Sequence, residues 1–176
     1  MNTGGSIMAA VLAAVCLTAG PRALAGAGSM DAAAAFERLK GLQGTWEAGV
    51  ADGRKATTTF ELVAGGTVLL EQYRNPALPG GGHMVSAYHL DGASLVLTHY
   101  CVAGNQPTLV AERFDAATNE IQFEFQRASN LTNERAGHMR RARYRLEGTN
   151  RFTTEWEFFE NGRKTMTELE TFTRIK

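Results

Sequence analysis

Ten stretches of alternating polar and apolar residues predict an all-β protein, a closed antiparallel up-and-down β-barrel of about ten strands with one short N-terminal helix. Three observations carry this. From Gly44 onward the apolar period is two, the spacing that puts every second side chain on one face of a strand. The connections are short and rich in Asp-Gly and Asn-Gly pairs, which favour the positive φ angles of tight hairpins. No helical crossovers separate the strands, so they pair antiparallel, and closing the meander removes its edges.

The first 25 residues differ from the rest. Ile7 to Ala19 is a run of apolar and small residues too short to span a bilayer. It is followed by Pro21 and by Ala23-Leu24-Ala25, a small-x-small cleavage pattern. This reads as a signal peptide cut near Ala25, which implies a bacterial periplasmic or secreted protein. Val15 before Cys16 argues against a lipidated cysteine. The mature chain would keep one cysteine, Cys101, so no internal disulfide is expected. Residues 26–43 form a linker and the short helix, with Ser29 or Asp31 as its cap, Phe36 and Leu39 on one face, and Gly41 as its stop. Residues 44–176 form the barrel.

The expected strands are Thr45–Val50, Arg54–Val63, Gly66–Tyr73, His83–Leu90, Ser94–Val102, Thr108–Phe114, Glu120–Arg127, His138–Glu147, Arg151–Phe159 and Lys164–Ile175. Turns fall at Ala51-Asp52-Gly53, Ala64-Gly65, Asp91-Gly92, Asp115 to Asn119, Glu147-Gly148 and Asn161-Gly162, with longer loops at Asn75–Gly82 and Ala128–Ala136. Ile121, Phe123 and Phe125 alternate with Gln122, Glu124 and Gln126. Arg141, Arg143 and Arg145 alternate with Ala142, Tyr144 and Leu146, and face Glu155 and Glu157 of the next strand. Charged outer faces of this kind argue against a transmembrane barrel and against stable membrane insertion.

Composition bounds the partners. Lys+Arg and Asp+Glu are both 18, a balance that argues against a nucleic-acid binder. The oligomeric state is not readable from the sequence.

Gly44-Thr45-Trp46, directly after the helix, resembles the G-x-W signature of lipocalin-like, calycin-type barrels. The resemblance implies that Trp46 closes the barrel floor and that a late arginine, here Arg174, stacks on it by cation–π contact. Leu95 to Pro107, with its THYC-x-x-GNQP run, and the preceding Met84–Asp91 stretch look like a group of bacterial lipocalin-like proteins of mostly unassigned function. That group implies an internal cavity and little about activity. Nitrobindin-like barrels take haem through a late histidine, and this chain has none after His138, so no cofactor is expected.

The candidate site lies on the strand Leu95–Cys101. If Leu95 and Leu97 face inward, His99 and Cys101 sit one above the other in the cavity; the opposite assignment would turn Tyr100 inward. Glu71 shares a face with Leu69 and Tyr73, and Tyr88 with Met84 and Ser86, so each could add a polar group to the same interior. Asn105 and Gln106 would stand at one mouth, and Trp156 would line the wall. A polar cluster in an apolar cavity is the usual build of a small-molecule site, here for a small hydrophobic molecule. Two other readings stay open: a barrel isomerase, cyclase or lyase using Tyr88, His99 and Cys101, and a filled structural barrel plugged by Phe123, Phe125, Trp156 and Phe158. His-x-Cys offers two soft ligands without the further donors of a structural metal site, so no metal is expected.

Overall fold

The computed structural model describes Met1 and residues 31–50 and 53–176. The expected leader, the linker up to Met30 and the turn residues Ala51 and Asp52 lie outside the described residues. The chain opens with α1 (Ala32–Lys40) and continues through β1 (Gly44–Gly49), β2 (Lys55–Val63), β3 (Val68–Arg74), β4 (Met84–Asp91) and β5 (Ser94–Tyr100). It ends with β6 (Gln106–Asp115), β7 (Glu120–Ser129), β8 (His138–Leu146), β9 (Arg151–Glu160) and β10 (Arg163–Arg174). Each strand pairs antiparallel with its sequence neighbour, and β1 pairs with β10 to close a ten-stranded barrel. Among the described residues, no helix is long and apolar enough to cross a membrane.

Local chemistry accounts for the elements. Asp31 caps α1 by accepting a 2.9 Å hydrogen bond from the Ala34 amide. The helix buries Ala32, Ala35, Phe36 and Leu39, and packs on β4, β5 and β6. At Asn161-Gly162 both residues have positive φ, 53° and 73°, which gives the β9–β10 hairpin a twist matching its strands. The outer arginines of β8 form a ladder with both neighbouring strands: Arg141 pairs with Glu124 at 2.8 Å and Glu157 at 3.4 Å, and Arg145 with Glu120 at 2.7 Å. The β7 partners are additional to the Glu155 and Glu157 face expected from the sequence.

The two ends of the barrel are built differently. At the helix end the interior is filled by aromatic rings. Trp46 meets Phe152 edge-on at 4.8 Å, and Phe152 stacks on Phe172 at 4.8 Å with planes 10° apart. Arg174 lies over Trp46 with its guanidinium 4.0 Å from the ring centroid. The same guanidinium donates to the carbonyls of Gly41, Gln43 and Thr149, and the Trp46 indole donates to Leu42 at 2.7 Å. Gly44 has φ 123°, and a Cβ there would fall 2.4 Å from the Lys176 carbonyl oxygen, so the glycine of G-x-W is required by the crossing of the two chain segments.

At the opposite end, the loops that follow β3, β5, β7 and β9 surround an opening. β-bulges interrupt the register between Met139 and Arg141 in β8 and between Lys164 and Met166 in β10. Bulges re-aim side chains at barrel rims, and these two flank methionines of the opening.

Candidate functional site

On β5 the inner face carries Leu95, Leu97 and His99, and Tyr100 points outward with 51% of its surface exposed. His99 rather than Tyr100 is therefore the interior residue, and Tyr100 is corrected to a surface position. The physical reason is parity: two fully buried leucines fix the face of every second residue. Cys101 lies just past the end of β5, in a turn closed by the Gly104 amide donating to the Cys101 carbonyl at 3.0 Å. It lines the opening and not the cavity beneath.

Gln106 also needs correction, because it is the first residue of β6 and not part of a mouth loop. Its amide accepts from Ser129 at 2.9 Å, away from the interior. Asn105 is buried and donates to the Gly137 carbonyl at 2.8 Å, tying the β5–β6 turn to the start of β8.

The interior polar groups form three connected sets. In the first, Glu71 is ringed by hydroxyls: Tyr88 donates at 2.6 Å, Thr58 at 3.0 Å and Tyr144 at 3.3 Å. The Tyr88 and Tyr144 hydroxyls are 2.5 Å apart. Burial raises the Glu71 carboxyl above its ordinary range, and these hydroxyl donors together with Ser86 oppose the rise. Both tyrosines are pushed well above the usual phenol value, first by burial and then by the Glu71 charge.

The second set is His99 with Ser86, whose hydroxyl is 3.0 Å from Nδ1. The imidazole packs against Trp156 at 4.8 Å between centroids, and its Nε2 has no hydrogen-bond partner. Burial lowers its pKa from 6.5 to about 4, so the ring is neutral at physiological pH.

The third set was not anticipated from the sequence. Tyr73 donates to Glu170 at 2.9 Å and reaches Glu168 at 3.3 Å, while Asn75 donates to the Tyr73 hydroxyl at 3.0 Å. Burial raises the Glu170 carboxyl from 4.5 to about 7, with the adjacent Glu168 adding to the rise, and burial likewise raises Glu168. In β10 the usual inside-outside rule is inverted: Glu168 and Glu170 face in while Leu169, between them, is 66% exposed. Phe172, two residues further and fully packed, sets this parity, and counting back from it by twos is the signal that locates both carboxylates.

These three sets meet around a small cavity of about 20 Å³, room for roughly one water, lined by Glu71, Ser86, His99, Trp156, Glu168 and Glu170 among others. Above it opens a larger vestibule of about 360 Å³ walled by Leu78, Met84, Cys101, Met139, Phe158 and Met166. Met84, Met139 and Glu168 line both, so the two spaces adjoin. Of the four residues expected to plug a filled barrel, Phe123 and Trp156 are buried, whereas Phe125 and Phe158 are only half-buried. Phe125 stacks on His138 at 4.7 Å, and Phe158 forms vestibule wall. The plug is instead Trp46, Phe60, Phe152 and Phe172, at the helix end.

Chemically, the arrangement suits recognition better than nucleophilic attack. Burial raises the Cys101 thiol, the opposite of what activates a cysteine nucleophile. Among the described residues, no group of three or more His, Cys, Asp or Glu side chains is placed to hold a metal ion. No family model matches the sequence, and no curated protein matches it.

Proposed function

We propose that the protein is an exported binding barrel that takes a small, mainly apolar molecule at its open end, with Glu71, Tyr88 and His99 beneath it as part of the polar floor. The observation that carries this reading is the vestibule: about 360 Å³ of space, apolar-walled, adjoining a cavity floored by buried polar groups. Ligand pockets have this build, a mainly apolar cup of a few hundred Å³ with a small number of convergent polar groups. The methionines suit it, since a flexible and polarisable side chain conforms to apolar guests. The filled helix end confines the ligand to the mouth half, a narrower site than the whole interior. The resemblance to lipocalin-like barrels and the leader-like N-terminal stretch support the same reading and its export.

Native mass spectrometry of the mature protein purified from its own host tests both parts. The expected result is a chain beginning just after Ala25 with a small organic adduct that leaves on unfolding. A chain retaining its first residues contradicts export. Ligand-free protein that also fails to take up a neutral apolar dye such as Nile red contradicts the binding reading.

One observation favours a second reading, that of an acid–base enzyme. Glu170 borders the cavity with a pKa near neutrality, the value a general acid or base needs. Turnover abolished by Glu170→Gln with retained ligand binding would establish it.

A further inference from the structure

The floor of the open end is rich in hydrogen-bond acceptors and poor in cations. Among the described residues, no Lys or Arg lines the cavity or the vestibule, and no basic side chain pairs with Glu71, Glu168 or Glu170. Glu71 is compensated by its ring of hydroxyls. Glu168 and Glu170 share one phenol proton, that of Tyr73, with the Asn75 amide as a further neutral donor to Glu168, and neither has a cationic partner. Buried carboxylates without a counter-charge are costly, and they persist where something else compensates the cost.

The second observation is His99. It is 4% exposed, it lines the same cavity, and its Nε2 has no partner. Ser86 is the cross-strand neighbour of Glu71, and its hydroxyl is 3.0 Å from His99 Nδ1. In the tautomer that lets this hydroxyl donate to the carboxyl, Nδ1–H donates to Ser86 and Nε2 carries the lone pair. In that tautomer the unpartnered Nε2 is an acceptor on a cavity lined by Glu71, already ringed by hydroxyls, and by Glu168 and Glu170, leaving Nε2, Glu168 and Glu170 to be satisfied. A guest that satisfies all three must donate several hydrogen bonds and carry positive charge.

We infer that the ligand is a primary amine with an apolar tail, its ammonium group held among Glu168, Glu170 and the His99 Nε2, and its tail among Met84, Met139, Met166, Leu78 and Phe158. This rests on the binding reading above and names the chemistry of its ligand. An ammonium group has three donors and no acceptor, matching the carboxyls of Glu168 and Glu170 on the floor. A bare metal ion would leave the apolar vestibule without a role. A fatty acid would bring a third carboxylate beside Glu168 and Glu170, which like-charge repulsion opposes.

The test is isothermal titration of the full chain with three probes that share a tail, octylamine, octanol and octanoate, at about pH 8, where the amine is an ammonium ion. The expected result is octylamine binding at least about tenfold more tightly than octanol, with octanoate weakest, which corresponds to about 1.4 kcal/mol of head-group discrimination. In the double variant Glu168→Gln, Glu170→Gln, the ratio of octylamine to octanol affinity falls to about one. Equal affinities for amine and alcohol in the native protein, or a preference for octanoate, overturn the amine inference while leaving the binding barrel standing. An amine preference that survives the double variant overturns the assignment to these two carboxylates. Binding of none of the three overturns both. The native protein decides the head-group question even if the variant does not fold.

Discussion

The two ends of this barrel use the same strands for opposite purposes. β9 and β10 each contribute to both. At the helix end, Phe152 stacks on Phe172 and meets Trp46 edge-on under the Arg174 guanidinium, every polar group of that cluster has a partner, and the rings fill the interior. A depression of about 350 Å³ lies outside them, between the helix and the rim loops. A few residues along the same two strands, Trp156, Glu168 and Glu170 border a cavity, two carboxyls share the Tyr73 hydroxyl without a cationic partner, and a buried imidazole nitrogen has no hydrogen-bond partner. One end follows the rule that apolar residues face in, and the other breaks it with Leu169 out and its flanking glutamates in. Natural sequences tolerate such breaks where function requires them, which supports placing the proposed site at the open end.

Substitutions can break or sharpen that contrast. The largest effect belongs to the closed end. Trp46→Ala removes the ring that joins the aromatic stack to Arg174, and is expected to cost about 3–5 kcal/mol in urea unfolding, as large aromatic deletions in cores do. Gly44→Ala should cost less, about 1–3 kcal/mol, because the added methyl meets the Lys176 carbonyl at a backbone angle that alanine disfavours.

At the open end the sign reverses. Glu170 has a folded pKa raised from 4.5 to about 7, so the folded state holds its proton where the unfolded chain has lost it. Stability from this group is present below pH 4.5 and is lost as pH rises through about 7. Glu170→Gln should therefore stabilise the protein at pH 8 or so, and the gain should vanish toward pH 4.5 in parallel thermal melts. A variant less stable than the native protein at the higher pH would show that the carboxylate is compensated after all.

His99 gives a dependence in the opposite direction. Its folded pKa of about 4 lies below the ordinary 6.5, so the unfolded chain takes up a proton that the folded one refuses. Stability from keeping the ring neutral is present above pH 6.5 and is lost as pH falls toward 4. His99→Phe should flatten that acid limb, measured as the difference between native and variant melts from pH 7 to 4. The smallest effect is expected next door: Tyr100→Ala, on the outer surface of the same strand, should change stability by no more than about 0.5 kcal/mol.

How much of this was legible beforehand follows from where the alternation rule holds. All ten strands could be read because their period-two patterns and turn dipeptides agree with the global fold. Glu71, Tyr88 and His99 could be placed inside because each shares parity with apolar neighbours such as Leu69, Met84 and Leu97. Tyr100 and His99 could not be separated without the burial of Leu95 and Leu97. Glu168 and Glu170 escape a local reading because a glutamate on a strand reads as solvent-facing, and only the parity set by buried Phe172 turns them inward. Tyr73, Asn75 and Tyr144 escaped for another reason. They join the site through cross-barrel contacts such as Tyr73 to Glu170, and closure distances are not written in local periodicity.

The central claim is that the open end, and only that end, receives a ligand. Methionine methyl groups report on it directly, because Met84, Met139 and Met166 all line the vestibule. The decisive measurement is ¹³C-methyl-methionine NMR of the protein titrated with octylamine, alongside the indole N–H of Trp46 as a marker of the closed end. The account predicts saturable shifts of all three methyl resonances with the Trp46 signal unmoved. Saturable binding that leaves the three methyls in place, or that moves Trp46 instead, would contradict it.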